Sequence, residues 1–96
     1  MPAYIIFLRE GAVRDAEALA IYRNSNGEAP RDPNLKPLVV YGALEALEGA
    51  APDGVVVLQF PSVEDAKAWY HSPGYQAAMP HRQQAADYRA FIVEGL

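Results

Sequence analysis

The side chains best suited to acid–base chemistry lie in one short stretch of the sequence. His71 and His81 are the two histidines of the chain, with Tyr75 between them and Arg82 directly after the second. An imidazole has a pKa of about 6.5 and exchanges a proton near neutral pH, and a guanidinium can hold a carboxylate or enolate oxygen through paired hydrogen bonds. The stretch therefore predicts a small-molecule site with His71, His81 and Arg82 as candidate catalytic residues.

A structural role for the same residues stays open. A histidine at a helix end is more often solvated or capping, and Arg82 can instead pair with Glu45 or Glu48. Those two glutamates lie three residues apart on a stretch expected to be extended, so they project to opposite faces and do not form a carboxylate pair. The two histidines are ten residues apart and the chain has no cysteine, so no metal site is expected.

Aromatic residues could line a pocket for a flat ligand. Aromatic rings supply a large contact area and a tyrosine adds a polar group. The residues considered are Tyr22, Tyr41, Trp69, Tyr70 and Tyr75. Their spacing is also typical of core or interface positions, and we assign ligand binding to Tyr41, Trp69 and Tyr75.

Length and charge exclude several classes of protein. The chain has 96 residues, of which 51% are hydrophobic, and a formal net charge of -4, which predicts a single domain over residues 1–96. An acidic chain without a cluster of basic residues is not expected to bind nucleic acid. The apolar run at residues 3–8 is too short for a signal peptide or a membrane span, so we expect a cytoplasmic protein with no membrane partner.

Four strands are predicted from runs of β-branched and aromatic residues: residues 4–8, 38–41, 55–60 and 88–94. The second is expected to continue, with a bend at Gly42, as far as Glu48. The turn residues Pro52-Asp53-Gly54 then predict an antiparallel hairpin with the third strand.

Helical patterns alternate with these strands. The first covers residues 14–24 with Asp15 as N-cap, and the run Asn24-Ser25-Asn26-Gly27 should end it, leaving residues 24–37 as a loop. The second begins at Ser62 and runs to about residue 71. A further helix begins with Ser72 as N-cap and should be kinked or divided by Pro80.

The order β-α-β-β-α-β predicts an α+β ferredoxin-like fold, a four-stranded antiparallel sheet with its helices on one face. The strands at residues 5–8 and 55–58 are nevertheless apolar on both faces. An antiparallel sheet with one face in water should alternate instead. A second copy of the chain is the simplest cover, so we expect a homodimer that pairs its sheet faces.

Several short motifs, taken in order, resemble the family known as domain of unknown function 1330. They are Met1-Pro2-Ala3-Tyr4, Leu44-Glu45-Ala46-Leu47-Glu48-Gly49, Phe60-Pro61-Ser62, Trp69-Tyr70, Ser72-Pro73-Gly74-Tyr75-Gln76, Arg82 and Phe91-Ile92-Val93-Glu94-Gly95. The resemblance implies membership of the dimeric α/β-barrel superfamily, in which two ferredoxin-like protomers pair their sheets. Other branches include cofactor-free monooxygenases, lactone isomerases and haem-handling enzymes. The segment at residues 24–37 departs from the family pattern, and no catalytic residue carries over.

The sequence thus predicts a cytoplasmic homodimer with a cleft between the broken helix and the sheet. The cleft would bind or transform a small organic molecule without a metal or tightly bound cofactor. The alternative is a non-catalytic dimeric ligand-binding or interaction module. An enzyme should show polar groups converging on a concave pocket, and a module a flat or filled site.

Overall fold

The computed structural model describes the backbone of residues 1–28 and 32–96 and the side chains of residues 1–24 and 32–96. Its elements, in chain order, are β1 (Ala3–Arg9), α1 (Ala16–Glu28), β2 (Lys36–Val40), β3 (Gly54–Phe60), α2 (Val63–Tyr70), α3 (Pro73–Ala85) and β4 (Tyr88–Glu94). The strands form one antiparallel sheet in the order β2-β3-β1-β4. This is the predicted ferredoxin-like α+β fold, with the second helical region divided in two at Ser72.

The core lies between the helices and one face of the sheet. In β1, Ile5 and Phe7 are buried, and their cross-strand partners in β3 are Leu58 and Val56. Phe60, fully buried near the end of β3, completes this apolar surface. Helix α2 packs against β1, β3 and β4, and α1 packs on α3. Helix α2 therefore covers three of the four strands on this face, while the residues of the edge strand β2 are exposed.

Predicted caps begin all three helices. Asp15 Oδ1 accepts a hydrogen bond from the N–H of Ala18 at 3.0 Å. Ser62 and Ser72 have extended backbone conformations, and their hydroxyls accept from the N–H groups three residues later. Such a bond satisfies one of the four N–H groups that a helix start leaves without a partner.

Helix α1 continues to Glu28, so the prediction that residues 24–27 end it is wrong. Serine, asparagine and glycine each lower helix stability by only about 0.5–1 kcal/mol relative to alanine, and tertiary packing outweighs such terms. Here Ala18 and Leu19 pack against Ala85 of α3. The predicted loop at 24–37 is correspondingly shorter, because Lys36 and Pro37 belong to β2; residues 29–31 lie outside the described part of the chain.

Strand β2 ends at Val40, so the predicted long second strand to Glu48 is also wrong. The chain turns at Tyr41, which has a φ of 54°, and not at Gly42. The irregular pairing with β3 lies earlier, between Pro37 and Val39. Because β2 is an edge strand, Pro37 can occupy it without removing a bond from the middle of the sheet.

Helix α3 runs through Pro80, so the prediction that the proline divides the helix is wrong, whereas a kink at this position stays a prediction. A proline removes the N–H that would bond to the carbonyl four residues earlier, here that of Gln76. Pro80 is exposed, and water at such a position can replace the missing bond. The proline therefore does not end the helix.

The opposite face of the sheet is apolar, and no described helix covers it. Ile6 pairs with Val57 on one side and Phe91 on the other, so the three side chains share this face. Val39, the partner of Val57, is 38% exposed, and Phe91 is 45% exposed. We call this surface the outer face. None of the described helices is long and apolar enough to span a membrane.

Candidate functional site

A cleft of about 1030 Å³ lies between the core face of the sheet and the three helices. Its volume is at the upper end of the range for small-molecule sites, roughly 300–1,000 Å³. Most of its lining is apolar or aromatic, including Phe7, Leu35, Pro37, Val40, Val56, Leu58, Trp69 and the four tyrosines Tyr22, Tyr41, Tyr75 and Tyr88. Arg23, Asp32 and Arg82 supply the charged groups. We call this space the cavity.

Arg82 is the buried charge of the cavity. Its side chain lies on α3 and is 5% exposed. The guanidinium carbon is 5.2 Å from the centre of the Phe7 ring and 5.0 Å from that of Tyr88, and Nε donates to the Tyr75 hydroxyl at 3.3 Å. Aromatic faces attract a cation but do not neutralise its charge.

No carboxylate among the described residues pairs with Arg82. The ion pairs in this part of the structure join Arg14 to Asp87 and Arg89 to Glu10. The expected alternative partners, Glu45 and Glu48, are exposed and make no such pair, so the ion-pair prediction is wrong. They lie in the segment after Tyr41, which turns away from the strand that was expected to carry them. Within the described part of the chain Arg82 thus has no counter-charge, which is costly for a buried cation.

Tyr75 links Arg82 to Tyr22 in the aromatic lining of the cavity. Its side chain is buried, and its hydroxyl lies 3.1 Å from that of Tyr22. Burial raises the pKa of Tyr75 far above its ordinary value, the nearby Tyr22 hydroxyl raises it further, and Arg82 lowers it in part. Tyr75 therefore stays neutral, and because it accepts from Arg82 its own proton is free to be donated to Tyr22 or a ligand.

A second tyrosine pair lies beside the first. The hydroxyls of Tyr41 and Tyr88 are 2.7 Å apart. Burial raises the pKa of Tyr41 well above its ordinary value, and the bond to Tyr88 adds to the increase. The Tyr41 ring also lies near two cations, 5.6 Å from the Arg9 guanidinium carbon and 5.9 Å from that of Arg23.

Tyr41 reaches this position because of its backbone conformation. A positive φ is uncommon for a residue with a side chain and is found mostly where the surrounding structure enforces it. The N–H of Tyr41 donates to the carbonyl of Val55 at 2.9 Å. The ring then lies over Gly54, where any Cβ would come within 2.9 Å of it. Gly54 therefore provides the space that Tyr41 occupies.

Trp69 forms an aromatic wall of the cavity. Its ring centre is 4.2 Å from that of Tyr75 and 5.7 Å from that of Phe60. Ser72 joins the two helices that carry these rings, since its hydroxyl donates to the Trp69 carbonyl and accepts from the Tyr75 N–H. The cap therefore also fixes the relative position of Trp69 and Tyr75.

The two histidines do not line the cavity. His71 is exposed at the end of α2, where its ring meets the Tyr70 ring edge-on. His81 is half-buried on α3. Neighbouring positions on a helix point about 100° apart, so a helix that directs Arg82 into the cavity directs His81 elsewhere. A proton-transfer role for either histidine stays a prediction.

The structure brings together Arg82, Tyr41, Trp69 and Tyr75 from the predicted set and adds residues that the sequence did not single out. These are Arg9, Arg23, Asp32 and Tyr88. Tyr88 begins β4 on the same sheet face as Phe7, but this becomes visible only when the strand order places β4 beside β1. No three histidine, aspartate or glutamate side chains in the described residues are grouped to hold a metal ion.

Fold and site together define a small ferredoxin-like protein with a cleft built from aromatic side chains around a buried arginine. Residues 2–96 match the family of domains of unknown function DUF1330, and the chain belongs to this family. No curated protein matches the chain.

Solved structures give the same fold. Methylated RPA0582 is 26% identical to this chain with a TM-score of 0.71, covering 99% of this chain and 81% of the other, and the protein comes from Rhodopseudomonas palustris. A dimeric ferredoxin-like protein of unknown function from Bacteroides fragilis is 17% identical, with a TM-score of 0.62 and coverage of 98% and 96%. Another from Thermobifida fusca is 17% identical, with a TM-score of 0.60 and coverage of 97% and 90%.

Proposed function

We propose that this protein binds a small organic anion with a flat, apolar body in the cavity. Its negatively charged oxygen atoms would contact Arg82, and its body would lie against Trp69 and Tyr75. The observation that carries the proposal is that Arg82 is a buried cation on a cavity wall without a carboxylate partner among the described residues.

The physical reason is the energy of the unpaired charge. Burying a guanidinium costs several kcal/mol of hydration, and a facing carboxylate, enolate or phenolate oxygen offsets much of it through charge-assisted hydrogen bonds. The raised pKa values keep Tyr41 and Tyr75 neutral, so that they act as hydrogen-bond donors and not as competing anions. An anion that contacts Arg82 would therefore also meet tyrosine hydroxyls that are neutral donors.

The proposal is one of binding. The described lining contains no imidazole, and its carboxylate, Asp32, accepts the N–H of Asn34 at 2.8 Å. Catalysis by His71 or His81, the role considered from the sequence, would require a substrate that reaches beyond the cavity. Binding requires only the groups that already face it.

The test is a titration of the intrinsic fluorescence of Trp69, the single tryptophan of the chain. Benzoate serves as a flat monoanion, and we expect it to change the emission of the wild type in a saturable way. Arg82→Met should weaken binding at least tenfold, because a charged hydrogen bond contributes about 1.5–3 kcal/mol. His81→Ala is the matched control on the same helix and should bind as the wild type does. Equal affinity of Arg82→Met and the wild type would overturn the proposal.

We further propose that the protein is a homodimer in which two copies pair their outer faces. The support is the row of apolar side chains on that face, with Phe91 on the edge strand β4, together with the dimers described for the structural neighbours from Bacteroides fragilis and Thermobifida fusca. A second copy would remove this surface from water.

Sedimentation equilibrium of a charge variant tests the dimer. Phe91→Glu places a carboxylate on the outer face and should yield monomers at micromolar concentration. Ile21→Glu is the control, since Ile21 is 46% exposed, almost the same as Phe91, but lies on α1. A monomeric wild type, or a dimer that Ile21→Glu disrupts and Phe91→Glu does not, would contradict the proposed interface.

A further inference from the structure

We propose that the ligand of the cavity is a dianion, with one anionic group at Arg82 and a second, at the far end of a flat body, at Arg23. This inference rests on the proposed function and extends it to a ligand class: aromatic dicarboxylates and compounds with the same spacing of charges. Arg23 lines the same cavity and is exposed, whereas Arg82 is buried in it.

The two arginines lie against different rings of one tyrosine pair. Arg82 is against the ring of Tyr88 at 5.0 Å, and Arg23 is against the ring of Tyr41 at 5.9 Å. The two hydroxyls of the pair are 2.7 Å apart. Each guanidinium therefore lies against its own ring of the pair. A ligand that contacts both arginines would need two anionic groups at separate positions on its body.

The distribution of arginine partners supports a second anionic group. Five arginines have described side chains. Arg14 and Arg89 lie on the surface, and each pairs with a carboxylate. The three around the tyrosine pairs, Arg9, Arg23 and Arg82, have no ion pair among the described residues. The net charge of the chain is -4, so carboxylates are plentiful, yet none with a described side chain pairs with Arg9, Arg23 or Arg82.

Arg9 adds to this local excess of positive charge. Its guanidinium faces the Tyr41 ring and donates to the backbone carbonyl of Asp53 at 2.9 Å, while its Nε is buried without a hydrogen-bond partner in the described structure. Asp32 is the one described carboxylate that lines the cavity. Arg23 and Arg82 give the described lining two cations against this one carboxylate, and Arg9 places a third cation against the Tyr41 ring, so the charge around the cavity favours an anionic ligand.

The ligand's shape follows from the walls. Trp69 and Tyr75 present their rings to the cavity, and Val56 and Leu58 line it from the sheet. A flat ring between these surfaces buries apolar area, and groups at its two ends can reach the two arginines. Terephthalate, with carboxylates at opposite ends of one ring, is the simplest probe with this geometry.

The experiment compares three probes in the Trp69 fluorescence titration at one ionic strength: benzoate, terephthalate and phthalate. Phthalate has the charge of terephthalate, but its carboxylates are adjacent. We expect the wild type to bind terephthalate about fivefold more tightly than either of the others, the size of effect that a partly exposed ion pair gives. Arg23→Gln should remove this preference, so that the ratio of terephthalate to benzoate affinity in this variant falls to about one.

Lys67→Gln is the matched control because it also removes one positive charge, from an exposed residue of α2 outside the cavity. It should keep the preference for terephthalate. A preference that survives in Arg23→Gln, or that phthalate shares, would overturn the dianion inference, while Arg82-dependent binding of benzoate would still support the proposed function. No saturable binding of any probe would overturn both.

Discussion

Replacing Gly54 by alanine should disturb the cavity through a single contact. A Cβ at this position would lie 2.8 Å from Cδ1 and 2.9 Å from Cε1 of Tyr41, whereas carbon atoms in contact are normally about 3.5–4.0 Å apart. The ring must therefore move by roughly 1 Å. Its hydroxyl, now 2.7 Å from that of Tyr88, would be drawn away from this partner.

The expected loss of stability follows from two opposing terms. Overpacking a tight site costs about 1–3 kcal/mol, and replacing a glycine within a strand by alanine returns about 0.5–1 kcal/mol. The free energy of unfolding should thus fall by up to about 2.5 kcal/mol, and the middle value of about 1.3 kcal/mol lowers Tm by about 5–10 °C for a domain of this size. Urea denaturation measures the first quantity and a thermal scan the second. Benzoate affinity should fall as well.

Gly42→Ala is the matched control for this substitution, because a Cβ there would meet no atom within 4 Å. A second control places Gly54→Ala in a Tyr41→Ala background, where the ring is absent and the cost should shrink to less than about 0.5 kcal/mol. If Gly54→Ala is as stable as Gly42→Ala, or costs as much without the Tyr41 ring as with it, the contact is not the cause and the reasoning fails.

Three further outcomes are expected. Ser72→Ala should lower the free energy of unfolding by about 1 kcal/mol in urea denaturation, the usual value of an N-cap, and no loss would contradict the capping role. Pro80→Ala restores the N–H that faces the Gln76 carbonyl and should raise stability by about 1–3 kcal/mol, whereas a decrease would show that the proline is not a cost to α3. The pKa values of Tyr41 and Tyr75 lie above the ordinary 10.0, so the folded state holds these protons more tightly than the unfolded chain does. Their contribution to stability is therefore complete below pH 10 and is lost as the pH rises above it. Urea denaturation between pH 9 and 11.5 should show a declining free energy of unfolding, and Tyr41→Phe should make this decline shallower. Equal slopes in the wild type and Tyr41→Phe would contradict the contribution of Tyr41.

Local signals predicted most of the fold. The hydroxyls of Ser62 and Ser72 accept hydrogen bonds at the starts of their helices, and runs of β-branched and aromatic residues predict strands such as β3. The errors arose where packing or backbone geometry outweighs local preference. Helix α1 continues beyond its predicted stop because it lies on α3, and the chain leaves β2 at Tyr41, a residue type that gives no signal of a positive φ.

The site was predictable only in part, for a geometric reason. The sequence placed Arg82 and Tyr75 near each other along the chain, and the helix places both at the cavity. It gave the two histidines equal weight because the rotational position of each residue around its helix depends on how that helix packs. Tyr88 and Arg9 come from strands whose neighbours are set by sheet order, which no short motif encodes.

The central claim, that Arg82 gives the cavity its preference for anions, is tested most directly by a thermodynamic cycle. Benzoate and its neutral isostere benzamide are titrated against the wild type and Arg82→Met, with circular dichroism to verify the fold and Arg82→Lys as a variant that keeps the charge. We expect the wild type to bind benzoate more tightly than benzamide. Arg82→Met should reduce the ratio of the two affinities by about tenfold or more, the coupling expected for a charged hydrogen bond. The ratio for Arg82→Lys should lie between those of the wild type and Arg82→Met. An affinity ratio that is the same in the wild type and Arg82→Met would contradict the central claim.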